Sequence, residues 1–371
     1  MRVVYVSPHA TRGGAERVTM DLLALHERNA VEPVALFLRG GPLVDEARRL
    51  GVQTQVLAVP RMRNVLAAER AKRTLAQWLT ALNADLVHGV MAWGHGYAGA
   101  AASLARIPAV WFQHDVPNWH RPLSYLAALT PARRIIANSA LTANAQHRFN
   151  PRRIKIEIVH PGTRIPAEPR EWRRERGRAA LGVGEEAYLV GIVARLARGK
   201  GHATLLRAAA SLCAARKDAR VVVAGGELFG VDPGYAAELR RLAASLGLAE
   251  RVTFTGQVED ACDVISALDV AVHVPDGPES YGLAVVEAMA AGTAVVAADT
   301  GAVREIVEPG VTAVLVPQGD HEALATALLA LHDDPAMRER LAGAGAEAAA
   351  ARFDIREMTR RLEAIYRDAV A

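Results

Sequence analysis

The stretch Glu279-Ser280-Tyr281-Gly282-Leu283-Ala284-Val285-Val286-Glu287-Ala288-Met289-Ala290-Ala291-Gly292 decides how this chain reads. It follows an apolar, β-branched run over 268–274 that predicts a buried strand, and a Pro-Asp-Gly-Pro turn over 275–278. A helix starting near Gly282 would aim its free backbone N–H groups and positive dipole end at the loop carrying Glu279, an arrangement that suits a phosphate. Glu287, just over one turn inside, leans back toward the same end. Two carboxylates and an anion site are expected to converge. Spacing alone would equally describe two solvated surface glutamates, because glutamate is a good helix former.

The neighbouring residues separate the two readings. With Thr293-Ala294-Val295-Val296-Ala297-Ala298 after it, the stretch resembles the signature of retaining glycosyltransferases of family 4. The resemblance implies an α/β chain of the GT-B fold, two Rossmann-like domains facing a central cleft. It implies a glycosyltransferase (EC 2.4) whose donor is a nucleoside-diphosphate sugar, UDP- or GDP-linked. Glu279 would lie beside the transferred sugar and Glu287 would bind the ribose hydroxyls, with Ser280, Tyr281, Gly282 and Leu283 also on the donor.

A second element supports the anion reading. Arg195 and Lys200 stand five apart in the glycine-containing loop Arg195-Leu196-Ala197-Arg198-Gly199-Lys200-Gly201, between a strand over 188–193 and a helix to about residue 216. Arginine offers a planar fork and lysine a point charge, which together suit a diphosphate. These residues match the family's Arg-Leu-x3-Lys-Gly element, implied to neutralise the diphosphate, although Ala194 replaces a common glycine. Gly225 and Gly256 end strands over 219–224 and 251–255, where backbone can read a nucleobase. Gly301, in the loop over 300–303, aligns with backbone that contacts the donor sugar.

The first half alternates strands over 3–7, 31–38, 52–59, 85–88, 107–113, 134–137 and 154–159 with helical stretches, which predicts a parallel, doubly wound sheet. Gly13 and Gly14 lie at the first strand-to-helix turn. The resemblance makes this the loop across from the diphosphate, with Gly14 toward the donor and Gly13 toward the acceptor. His114 ends the fifth strand, where α/β folds bind ligands, and it matches a family histidine beside the donor sugar. Asp115 would orient that imidazole or extend toward the acceptor. His88 and His95 read as structural. His160-Pro161-Gly162 stands where the family usually has Asn-Gly. Residues 166–169 read as a linker and 168–178 as a charged surface helix. Domains are expected at 1–165 for the acceptor and 166–354 for the donor, with a helix over 355–371 returning to the first through Leu362, Ile365 and Tyr366.

With 371 residues, 51% of them hydrophobic, the chain has material for two cores. Its two cysteines, Cys213 and Cys262, form no disulfide or zinc framework. With no leader-like start and no apolar run near the ~18 residues of a membrane span, it is expected to be cytoplasmic, or peripheral at the inner membrane face. Residues 1–165 carry 21 basic and 10 acidic side chains, the remainder 23 and 30. A basic first half suits an anionic acceptor or membrane surface, and the segment 61–82, with Arg61, Arg63, Arg70, Lys72 and Arg73 beside Leu66, Leu75, Trp78 and Leu79, is an amphipathic candidate for lipid. The acceptor would be a sugar, a lipid-linked or a small-molecule hydroxyl, with no nucleic-acid recognition motif present. No cofactor is expected, and no metal, since the chain has no Asp-x-Asp pair. The resemblance implies front-face displacement, in which Glu279 orients rather than forms an adduct. A sugar-nucleotide epimerase, a phosphorylase or a non-catalytic nucleotide-binding scaffold would use the same fold.

Overall fold

The computed structural model describes residues 1–371 apart from 28–29, 61, 119, 228–231, 259–260 and 278. Its contacts divide it into two units, residues 1–162 with 355–371, and residues 163–354. In the first unit the strands are β1 (Arg2–Ser7), β2 (Glu32–Phe37), β3 (Gln53–Val56), β4 (Leu86–Val90), β5 (Ala109–Gln113), β6 (Arg134–Ala137) and β7 (Lys155–Ile158). They pair in parallel in the order β3-β2-β1-β4-β5-β6-β7. Helices α1 (Gly14–Leu25), α2 (Leu43–Arg49), α3 (Val65–Ala81), α4 (Met91–Ala105), α5 (Pro122–Leu129) and α6 (Ala140–His147) connect them. A parallel sheet is covered on both faces, which is why β4 and β5 are buried along their whole length.

The second unit repeats the plan. α7 (Arg170–Leu181) leads into β8 (Tyr188–Val193), α8 (His202–Ala215), β9 (Ala219–Ala224), α9 (Tyr235–Ser245), β10 (Val252–Gly256) and α10 (Ala261–Ala267). Then come β11 (Val270–His273), α11 (Leu283–Ala290), β12 (Ala294–Ala298), α12 (Val303–Ile306), β13 (Val314–Val316), α13 (His321–Asp333) and α14 (Pro335–Arg352). This sheet is also parallel, in the order β10-β9-β8-β11-β12-β13. Both units are thus Rossmann-like. Each sheet reverses its strand order once, between β1 and β4 in the first and between β8 and β11 in the second. Ligands in open α/β sheets bind outside the carboxyl ends of strands at such a reversal.

α15 (Ile355–Val370) belongs to the first unit, where Leu362, Ile365 and Tyr366 are buried. Polar contacts deepen that anchor. The Tyr366 hydroxyl lies 2.9 Å from that of Tyr5 and 2.6 Å from Nδ1 of His88, and Glu363 meets Nδ1 of His26 at 2.7 Å. His88 is therefore structural, and so is His95, whose ring stacks on Trp111 at 4.8 Å.

The stretch 91–105, for which the sequence reading names no element, forms α4. There Gly94 and Gly99 let the helix lie on neighbouring backbone, since a Cβ at Gly94 would come within 2.7 Å of the Val6 carbonyl oxygen. The charged run over 168–178 forms α7, which keeps Glu171, Trp172, Glu175 and Arg176 at the surface but turns two arginines inward. In α7, Arg173 and Arg178 are buried, and Arg178 bonds the carbonyls of Ala267, Gly184 and Ala187 and the Asp269 carboxylate at 2.9 Å. A guanidinium with its donors satisfied can be buried where a lysine would not be. The basic helix begins at Val65, capped by the Asn64 side chain, and Arg61 lies outside the described residues, as does Pro278 of the 275–278 turn. The apolar stripe of α3 is spent on the core, where Leu75 and Leu79 are fully buried, leaving Leu66 exposed beside Arg63, Arg70 and Arg73. No described helix is long and apolar enough to cross a membrane.

Candidate functional site

The loops that follow β8 and β11 meet at the carboxyl edge of the second sheet, on either side of its reversal. They are stitched together. The Asp276 amide donates to the Gly199 carbonyl at 3.0 Å, and the Thr204 hydroxyl donates to Asp276 Oδ1 at 3.1 Å. Gly201, which opens α8 with φ of 82°, lies so close to Val274 that a Cβ there would come within 1.8 Å of its carbonyl oxygen. No other residue fits without moving backbone.

This stitching places Lys200 against Glu279, with Nζ 3.2 Å from Oε2. His273, the last residue of β11, brings its Nε2 to 3.4 Å from the same oxygen. Burial would raise the Glu279 carboxyl, but His273 and Lys200 more than reverse that and hold it at about 2. Glu279 is thus an anion in the working range of pH, only 13% exposed. Its backbone is also gripped. The Ala302 amide donates to the Glu279 carbonyl at 3.0 Å, and a Cβ on Gly301, whose φ is 60°, would fall within 1.9 Å of that carbonyl oxygen. The Gly301 loop therefore braces Glu279.

Three residues on from Glu279, Gly282 takes φ of 108° and forms the N-terminal boundary of α11, where no side chain caps the helix end. Val285, Val286, Ala288 and Met289 face the core, which leaves Leu283, Ala284 and Glu287 together on the less buried face. Glu287 thus shares its face of α11 with Leu283 and Ala284 of the first turn. Ser280 is half-buried and Tyr281 is packed in the core.

Of the basic loop, Arg198 is committed elsewhere. It bonds Glu238 at 2.6 Å and stacks over Tyr235. Arg195 is exposed and has no hydrogen-bond or ion-pair partner for its side chain among the described residues. An unpaired guanidinium, an ammonium tied to a carboxylate and an open helix end are what a diphosphate would meet at this edge. Gly225 supports the Arg195 loop, since a Cβ there would come within 1.9 Å of the Ala194 carbonyl oxygen, and its amide donates to the Gly256 carbonyl at 2.9 Å. Gly256 itself borders open space.

The first unit holds the remaining candidates. His114 follows β5, is buried, and its Nε2 has no hydrogen-bond partner among the described residues, while burial pushes it down to about 3 and keeps the imidazole neutral. Asn138 fixes its backbone through a 2.7 Å bond to the His114 carbonyl. Asp115 beside it is exposed. Gly13 bounds α1 in an extended conformation, and a Cβ at Gly14 would meet nothing within 4 Å. No three His, Cys, Asp or Glu side chains gather as a metal site among the described residues, and both cysteines are free.

His273 is the participant that motif reading passes over. It sits in an apolar run that reads as buried strand, and its only mark is its place as the last residue before the loop.

The second unit matches the family model of glycosyl transferases group 1 over residues 173–348, and the first matches that of glycosyltransferase family 4 over residues 12–165. The D-inositol 3-phosphate glycosyltransferase 1 of Catenulispora acidiphila is 38% identical over 316 residues, which are 77% of this chain and 72% of that protein. The D-inositol 3-phosphate glycosyltransferase of Streptomyces avermitilis is 34% identical over 263 residues, 68% of this chain and little more than half, 56%, of its own length. Among solved structures, Anabaena HepE in complex with UDP and glucose superimposes with a TM-score of 0.87 at 25% identity, covering 98% of this chain and 99% of that one. The sucrose-phosphate synthase of Thermosynechococcus elongatus shares the fold, with a TM-score of 0.81 at 22% identity over 99% and 98% of the two chains.

Proposed function

The chain belongs to the family 4 glycosyltransferases of the GT-B fold, and from that premise we propose that it moves a glycosyl group from a nucleoside-diphosphate sugar to an acceptor hydroxyl with retention at the anomeric carbon. The observation that carries the reading is the meeting of Lys200 and Glu279 at the strand-order reversal of the second sheet, beside the uncapped end of α11. In this scheme the diphosphate lies along Arg195, Lys200 and the first turn of α11. Gly225 and Gly256 border the base, Glu287 binds the ribose, and Glu279 with Ser280, Tyr281, Leu283 and the Gly301 loop holds the donor sugar.

As the anomeric C–O bond breaks, negative charge grows on the leaving diphosphate. Arg195, Lys200 and the helix end stand ready to stabilise it, a preorganised effect worth ~10²–10³ in rate per donor. The acceptor oxygen attacks the same face that the phosphate leaves. Its proton passes to the departing phosphate oxygen, so no covalent adduct forms on the protein and Glu279 remains a carboxylate that orients the sugar. His114, held neutral by burial, supplies a hydrogen bond rather than a charge. With three positive groups assigned to the diphosphate, the reaction needs no divalent ion.

The named partners of relatives set the first trials. HepE is described with UDP and glucose, and the two relatives act by name on D-inositol 3-phosphate, so UDP-sugars and phosphorylated cyclitols are the first donors and acceptors to assay. Intact-mass detection of a glycosylated product, with NMR assignment of its anomeric configuration, tests the proposal. The expected product keeps the donor's configuration. Inversion would refute the mechanism, and failure of every nucleotide sugar to react or bind would refute the assignment.

A further inference from the structure

The first unit has its own strand-order reversal, between β1 and β4, and the loops there are held as tightly as those of the second unit. A Cβ at Gly41, after β2, would come within 2.3 Å of the Ala10 carbonyl oxygen in the loop after β1. Gly94, early in α4, lies against Val6 and Pro8 of the same β1 end. Between them Met91, which opens α4 directly after β4, takes φ of 58°, a left-handed conformation that residues other than glycine rarely adopt and that clusters at functional sites. Three loops are thereby locked in one place.

They present a stacked cation. The guanidinium carbon of Arg39, from the loop after β2, lies 4.7 Å from the ring centre of Trp93, from α4. The ring of His9, from the loop after β1, lies 5.2 Å from the same indole. Arg39 is exposed, and its side chain has no hydrogen-bond or carboxylate partner among the described residues, whereas Arg12 in the same region is paired with Glu46 at 3.2 Å. A guanidinium held over an indole uses the ring for its charge and not its N–H donors, which remain available as the fork that fits a phosphate or carboxylate. His9 is held toward its neutral form by burial and by Arg39, so it adds a hydrogen-bonding group without a second charge.

We propose that Arg39, flattened on Trp93 with His9 beside it, is an oxyanion subsite that selects acceptors carrying a phosphate or carboxylate substituent. The proposal rests on the transferase reading only in calling the ligand an acceptor. It specifies what the basic excess of the first half is for at one place.

Calorimetry on the full chain, without nucleotide, tests it with matched probes: inositol 3-phosphate against inositol, glucose 6-phosphate and glucuronate against glucose, and inorganic phosphate alone. At least one anionic ring should bind about 10–100-fold more tightly than its neutral parent, the range of one charge-assisted fork. Arg39→Ala should abolish that ratio, and Arg39→Lys and Trp93→Ala should each recover only part of it, because lysine lacks the fork and alanine lacks the platform. Discrimination by phosphate against carboxylate would name the substituent. Equal binding of charged and neutral rings, inorganic phosphate binding as tightly as the best anionic ring, or a ratio unchanged in Arg39→Ala would overturn the proposal. UDP binding, measured separately, should be unaltered in Arg39→Ala. If wild-type protein bound no UDP yet kept the ratio, the donor assignment would fail and this subsite would stand.

Discussion

Lys200 and Glu279 neutralise one another at 3.2 Å, so removing either leaves the other partly buried without its ion-pair partner. Lys200→Ala and Glu279→Gln should each lower kcat by ~10²–10³, the cost of deleting a preorganised charge, while circular dichroism remains that of the wild type. Wild-type turnover in both would refute their roles. His273 makes a finer test. If its contact with Glu279 Oε2 orients the carboxylate, then His273→Ala should lower kcat with little change in the KM for donor, and His273→Asn should restore part of the loss. A purely structural histidine would change thermal stability and leave both constants alone. The charge argument also predicts that EDTA leaves turnover unchanged. Activity lost on chelation and restored by a divalent ion would mean that Arg195, Lys200 and the α11 end do not suffice.

At the scale of elements, the site depends on close approaches that side chains would block. Gly301→Ala puts a methyl group into the Glu279 carbonyl at a positive φ, and Gly201→Ala does the same against Val274. Each should abolish transfer through displacement of a loop, detectable as loss of UDP binding with the far-ultraviolet spectrum intact. α7 is a stability element. Arg178 and Asp269 are both buried, and Arg178→Ala removes one of the two arginine partners of Asp269, Arg174 staying at 3.1 Å, and leaves the carbonyls of Ala267, Gly184 and Ala187 without that donor, a loss of about 1–3 kcal/mol. Unfolding followed by a probe in the second unit should shift while the first unit's transition stays in place.

These elements also mark where sequence was readable. The starts of α8 and α11 were legible because glycines after an apolar strand mark the turn into a helix. β5 and β8 were legible as continuous apolar runs. α4 was not, because its glycines lower helix propensity and their packing on β1 emerges only in three dimensions. α7 was legible as a charged helix but its buried face was not, because nothing local says that Asp269, some ninety residues away, will take its arginine inside. His273 and the Arg39–Trp93 stack are likewise meetings of residues from separate loops.

Over the whole molecule, acid should act through buried histidines before carboxylates. Burial lowers His114 to about 3 and His95 and His202 to about 4, and holds His88 well below the ordinary range. In the unfolded chain these groups take up protons near pH 6.5, so below that pH the unfolded state binds more protons and stability falls until the folded groups titrate in turn. Melting temperature should therefore drop steadily from pH 6.5 toward 4. Replacing His95 with glutamine should flatten the slope, and a melting temperature constant across that interval would contradict the buried neutral assignment. Glu279, held near 2, adds its own loss between about pH 4.5 and 2, since its folded value lies below its unfolded one. The account as a whole turns on where the nucleotide goes. A crystal structure of the chain soaked with UDP should place the diphosphate within hydrogen-bonding distance of the Arg195 guanidinium, Lys200 Nζ and the backbone amides of the first turn of α11. Density for the diphosphate at any other edge, with Arg195 left untouched, would contradict it.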